Sequence, residues 1–501
     1  MHNTRLLACV GMLALVAVLG SAWPSVAQAP TPTPAPTAAT PDPPGADVNP
    51  IIHNCPVVND TVGNPPRSRP AKDVLTSGQP CERVANTTGI FPNDQPGHLL
   101  NLQHGFDFYS WLTFIALNSP ADGKSILQST PNGRTNWEDP ANYQQLADIM
   151  LRDGSTPTWG KRDYPEICLK QFGPDKTIIH VEEDVFNQPF KSGPLIDQNS
   201  NYAVFDILMN RVMFDYVLTR GLYSRVGQRR FKEPIEFPSG EAPQKPDGLH
   251  DGRMGAVMLK VSWRILDPVK DRAVMNKFHT IDALVYLPGG DSTKAGPACV
   301  RKTLGLVGFH VGHKTAVAPQ WIWTTFEHVD NAPQQKDVEA KKIDPKHVYN
   351  FYDPSPAAAT RSVNQTPPQP WDPDPSLKFR DGYKSQITRT IAITPEAEEL
   401  NKDFRSALKG TVWENYMLIS TQWPSNPGCA TDKTPSSEPD PSCAPVPAFL
   451  ANTTLETYSQ GDIPVASSSC MACHNDATTF HEPNSPNKMP SDFTFTLEKA
   501  H

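Results

Sequence analysis

The stretch SSSCMACHND, residues 467–476, sets the strongest limit on what this chain can fold into. Cys470 and Cys473 stand three positions apart and His474 follows directly, so on a helical turn both thiols and the imidazole project from one side. Only 27 residues (501 − 474) come after His474. A segment that short rarely builds a core of its own without a staple. Whatever these three side chains hold must therefore be covered largely by the chain upstream.

The other end of the chain sets the compartment. Arg5, an apolar run from Leu6 to Leu19 and small residues from Ser21 to Ala29 form the layout of a secretory signal peptide. The run is too short to span a bilayer. Ser25 and Ala27 suit a cleavage site, which assigns residues 1–27 to the signal. Leu6-Leu7-Ala8-Cys9 has the order of a lipobox, but Cys9 precedes the apolar run instead of ending it, which argues against a lipid anchor. Residues 28–50, a Pro/Ala/Thr-rich tract, read as an extended tether. The expected location is the periplasm or the exterior, with no transmembrane segment in the mature chain. The formal charge of −8, or −9 once Arg5 leaves with the signal, predicts no nucleic-acid footprint and no anionic-membrane footprint.

Of the nine cysteines, removing Cys9, Cys470 and Cys473 leaves Cys55, Cys81, Cys168, Cys299, Cys429 and Cys443, an even six. In an oxidising compartment these are expected to form three disulfides. Proximity along the chain favours Cys55 with Cys81 and Cys429 with Cys443, which leaves Cys168 and Cys299 for a long-range bridge.

No internal repeat is visible, which removes solenoids and propellers. HGFDFYSWLTFIAL, residues 104–117, carries Phe106, Trp111, Phe114 and Leu117 near helical spacing and predicts a buried helix. A second helix is expected over 209–224 after an extended stretch at 201–208. VMLKVSWRIL, HTIDALVYLP, LGLVGFHVGH and QWIWTTFEHV then predict four strands of an antiparallel or mixed sheet. Residues 395–418 predict a further helix, starting at Pro395 with Leu400, Phe404 and Leu408 spaced at four. The 53 prolines point to long loops. The expected class is α+β, with a large loop-rich body over 51–440 and a short, mainly helical segment over 441–501.

C-x-x-C-H is a haem-attachment spacing: both thiols can add across the two haem vinyl groups while the imidazole meets the iron from the same side. A zinc site would need a second Cys/His pair. A thioredoxin-like dithiol would need a βαβ body after the motif, and a plain disulfide across Cys470 and Cys473 is the simplest remaining alternative. The residues Cys470, Cys473 and His474 resemble those of the c-type cytochromes. The body resembles only uncharacterised exported bacterial proteins that end in such a motif. The first resemblance implies one covalently attached haem c, with thioethers at Cys470 and Cys473 and His474 as the proximal ligand. It departs from the usual small cytochrome, whose motif lies near the start and is followed by helices that wrap the cofactor.

Met489, followed by Pro490, is the local candidate for the distal ligand. Fifteen extended residues can span about 50 Å, enough to pass around a haem edge. In the body, His310 and His313 of GFHVGH and His328 of EHVD are alternatives, as distal ligand or general base. On a strand His310 and His313 face opposite sides. A separate non-haem metal site from His310, His313, Glu327 and His328 is a further alternative. Three functions follow: a monohaem electron carrier with a periplasmic redox partner, a haem-dependent peroxidase or oxygenase, or a binding module in which haem serves sensing or stability. The first asks least of the sequence.

Overall fold

Residues 98–174, 177–180, 186–240, 254–289, 296–315, 318–371, 373–424, 444–460, 468–480 and 489–501 are described by the structure, a computed structural model. The signal and tether assignments, and the bridges proposed for Cys55, Cys81, Cys429 and Cys443, lie outside these residues. All described residues belong to one compact unit.

Nine strands build one sheet: β1 (Tyr143–Gln145), β2 (Thr177–His180), β3 (Val204–Asn210), β4 (Val257–Leu266), β5 (Thr280–Leu287), β6 (Ala298–His313), β7 (Ile322–His328), β8 (Tyr416–Pro424) and β9 (Pro445–Val446). The order runs β1-β3-β4-β6-β7-β8-β9, with β5 on the first half of β6 and β2 beyond β5. Every pairing is antiparallel except β2 with β5. Seven helices are described: α1 (His98–Asn118), α2 (Glu166–Phe172), α3 (Arg211–Thr219), α4 (Arg225–Arg230), α5 (Gln335–Glu339), α6 (Pro395–Ala407) and α7 (Cys470–His474). The protein is α+β, as the sequence pattern predicts, and among the described residues no helix is long and apolar enough to cross a membrane.

The predicted helix at 104–117 is α1, which begins earlier and buries Phe106, Trp111, Phe114 and Leu117. Its aromatic face explains why: Trp111 stacks on Phe404 of α6 and Phe114 on Phe326 of β7. The four predicted strands are β4 to β7. Two boundaries differ. Met209 and Asn210 remain in β3, and the Asn210 side chain accepts from Met213 N to cap α3. The helix expected over 395–418 ends at Ala407, because the turn at Gly410 (φ +90°) reverses the chain and Tyr416–Pro424 pairs with β7 as a strand. The hydrophobic spacing that continues to Leu408 conceals that break.

Cys168 on α2 and Cys299 on β6 are joined, as elimination among the cysteines predicts. The bridge ties segments 131 positions apart.

Candidate functional site

Pleating divides the central strands into two faces. Leu259, Val261, Phe309, Val311, Thr324 and Phe326 point toward α1, where they form the main core. The opposite face carries a register row, Ile207–Lys260–His310–Thr325–Ser420, one residue from each of β3, β4, β6, β7 and β8. The C-terminal segment lies on this second face, its Met471, Leu497 and Ala500 buried with Met258, Trp321 and Trp323.

CMACH forms α7, one helical turn. Ser469 caps it, accepting from Ala472 N, and also donates to Gln422 of β8 (3.1 Å). The Gln422 carbonyl oxygen additionally accepts from Met471 N (2.8 Å). A buried glutamine on the sheet thus satisfies amide and hydroxyl donors at the start of the turn, where a helix leaves its N–H groups unpaired. Cys470 and Cys473 are half-buried free thiols, not joined to each other. Burial, then the nearby Glu456 carboxyl, pushes both thiols up, Cys473 to about 12.

His474 lies between the rings of Trp323 (4.3 Å) and Phe495 (5.1 Å). Its Nδ1 is 2.7 Å from the Phe493 carbonyl. A carbonyl only accepts, so Nδ1 carries the proton and Nε2 keeps its lone pair. Burial is the main cause of a pKa lowered to about 4, so the ring is neutral at pH 7. A neutral imidazole with Nδ1–H held by a carbonyl is the usual form of a metal-binding histidine.

Facing this turn are Lys260, His310 and Glu456. The ammonium of Lys260 lies 5.3 Å from the centre of the Phe205 ring, and burial lowers its pKa. His310 Nε2 stands 3.4 Å from a Glu456 carboxyl oxygen without hydrogen-bond geometry. Burial, then Lys260, then His474 hold His310 well below the usual imidazole range. Burial raises Glu456 to about 7. Lys260 acts electrostatically on Cys473, His310 and His474, so these groups lie within charge-interaction range of one another.

The other sequence candidates are placed elsewhere. His313 faces α1, hydrogen-bonded through Nδ1 to the Tyr109 hydroxyl. His328 accepts from Asp330 N at Nδ1 and approaches the Lys277 carbonyl at Nε2. Glu327 forms a buried pair with Arg389 (2.6 Å) and accepts from Thr453 N. The alternative non-haem site from His310, His313, Glu327 and His328 is thus dispersed over two faces, and among the described residues no group of three or more such side chains is placed for a metal ion. Met489 packs against the apolar cluster around Met471, its carbonyl accepting from Thr479 N.

Lys260, Glu456 and Phe493 were not singled out by the sequence pattern. For Lys260 a signal existed: it is the one cation among the inward positions of VMLKVSWRIL before Arg264. Glu456 and Phe493 carried none, because an isolated glutamate in a loop and a backbone carbonyl leave no pattern. No family model, no curated protein and no solved structure matches this chain.

Proposed function

We propose that this protein is an exported monohaem c-type cytochrome that passes single electrons to or from a periplasmic redox partner. Cys470 and Cys473 would hold the haem by thioethers, each thiol adding across one vinyl group, and His474 would be the proximal ligand. The observation that carries this reading is the neutral His474 ring, with Nδ1 committed to Phe493 and Nε2 left as a ligand beside two free thiols. Bound haem supplies one-electron exchange at iron. The chain's own part is to orient the imidazole, exclude water with Trp323 and Phe495, and close the far side with the sheet. His310 from the body and Met489 from the segment would be the candidates for a second iron ligand.

A second reading, a haem-dependent oxidoreductase such as a peroxidase or oxygenase, is favoured by one observation. His310 Nε2 and a Glu456 carboxyl oxygen lie 3.4 Å apart beside Lys260, more polar equipment than electron transfer needs. Further along the same face Phe205 and Ile207 open on a cavity of about 70 Å³, walled also by Met150, His180 and Lys499.

Expression with a haem-ligating maturation system, followed by a pyridine-haemochrome assay and spectra of both redox states, tests both. Covalent haem at one per chain, lost in the Cys470→Ser/Cys473→Ser double variant, supports attachment. A six-coordinate low-spin spectrum indifferent to CO and peroxide favours the carrier, and a high-spin iron that binds either ligand favours the enzyme. A chain that leaves maturation without covalent haem overturns both.

A further inference from the structure

Two residues in succession, Asp492 and Phe493, adopt the left-handed backbone region (φ +51° and +60°). Neither is glycine, so each costs on the order of 1 kcal/mol or more and persists only where its surroundings impose it. The surroundings here are specific. The Asp492 carboxylate forms an ion pair with Lys314 Nζ at 2.7 Å, with both side chains almost fully buried. It also accepts from Phe237 N (2.6 Å), and Trp321 Nε1 donates to the Asp492 carbonyl (2.7 Å). Lys314 directly follows β6, and its own backbone is locked by Lys314 N donating to the Ala256 carbonyl. A side chain at Gly255 would bring a Cβ within 1.9 Å of the Lys314 carbonyl, so the approach leaves no slack.

The product of this arrangement is the direction of one carbonyl. Phe493 follows Asp492, and its carbonyl is the group that meets His474 Nδ1. We propose that Lys314 and Asp492 form a positioning pair that sets the donor strength of His474: the buried ion pair holds the left-handed turn, and the turn aims the Phe493 carbonyl at the imidazole. The proposal rests on His474 being the iron ligand. A firm Nδ1–H bond to a carbonyl fixes the ring's orientation and raises its basicity, which favours the oxidised metal. The body thereby tunes a ligand carried by the C-terminal segment, across a bond network with no contact to the iron itself. Lys314 and Asp492 are positioning residues in this scheme.

The test is the reduction potential of haem-loaded protein carrying Asp492→Asn, which keeps the shape and removes the charge. The equilibrium should move about tenfold toward the reduced form, equivalent to roughly 59 mV for one electron. Lys314→Arg, which keeps the charge, should stay near wild type, and Lys314→Met should move with Asp492→Asn. Should the charge variants fail to fold, Trp321→Phe removes the bond to the Asp492 carbonyl while keeping an aromatic ring in the core, and should shift the potential in the same direction by less. Haem attached as in wild type with an unchanged potential and unchanged spectrum in these variants overturns the positioning role alone. Absence of covalent haem from the wild type overturns the ligand reading, and this inference with it.

Discussion

The two faces of the central sheet have been filled on opposite principles. Under α1 the strands present a largely apolar surface, interrupted by Thr324 and Thr421, which pair with Ser110 of α1 at 2.7 and 2.6 Å, and by His313, which pairs with Tyr109. Under the C-terminal segment the same strands present Lys260, His310, Glu327 and Gln422, with Arg389 and Glu456 arriving from loops. Pleating alone separates the two sets, since neighbours in sequence such as Lys260 and Val261 serve different faces. Burying charge where aliphatic side chains would suffice is a concession in stability, and it marks the face on which chemistry is expected.

The sharpest stability contrast is expected on the helix-covered face. Phe114 is fully buried among Phe309, Phe326 and Trp413. Phe114→Ala should cost about 3–5 kcal/mol in urea unfolding, by lost transfer energy plus the residual cavity. A cost under about 1 kcal/mol would mean that this face is not the molecule's main source of stability.

Next is a pH dependence with a defined window. His328 at the end of β7 is stacked on Phe278, and burial lowers its pKa to about 4. Its folded pKa lies below the ordinary 6.5, so between pH 6.5 and about 4 the unfolded chain takes up a proton that the folded one refuses. Its contribution is intact above pH 6.5 and is lost as pH falls toward 4, up to about 3 kcal/mol. His328→Gln should flatten unfolding free energy across that window. An unaltered pH profile would show that His328 is charged in the folded protein.

How much of this contrast was legible beforehand follows from which residues carry periodic signals. The odd spacing of His310 and His313 was enough to place them on opposite faces, and the triple Ser467–Ser469 contained the cap of α7. The eventual strand Tyr416–Pro424 was hidden behind a helix whose spacing ran on to Leu408; its own aromatic and β-branched content was the better guide. The grouping of Lys260, His310, Glu456 and His474 was not legible. It is assembled from β4, β6, a loop near 456 and the backbone at 492–493, and contacts between segments hundreds of positions apart leave no local pattern.

The comparison also predicts a change of opposite sign. Lys260 sits in the register row with its ammonium desolvated and held only near the Phe205 ring and the Glu456 field. If the second face sacrifices stability for chemistry, Lys260→Met should leave folding unharmed or stabilise it by up to about 2 kcal/mol. Under the proposed function the same variant should alter the haem spectrum, because the cation acts on both His310 and His474. A loss of stability with an unchanged spectrum would make Lys260 a structural residue and remove the distinction between the faces at this position.

The smallest effect concerns the junction between sheet and segment. Ser469 is buried, caps α7 through Ala472 N and bonds the Gln422 side chain. Ser469→Ala deletes a cap on a single helical turn whose Met471 amide is still held by Gln422, so the expected loss is about 1 kcal/mol. Under the proposed function covalent haem attachment should persist in this variant, because neither thiol depends on the cap. Ser469→Gly should lose only a few tenths in the capping energy, since glycine tolerates the cap position. A Ser469→Ala variant that loses haem while retaining its fold would mean that the cap, more than the sheet contacts of Met471 and Trp323, sets the geometry of Cys470, Cys473 and His474. The second face would then be a passive cover, and the tuning assigned to it would have to originate within the segment.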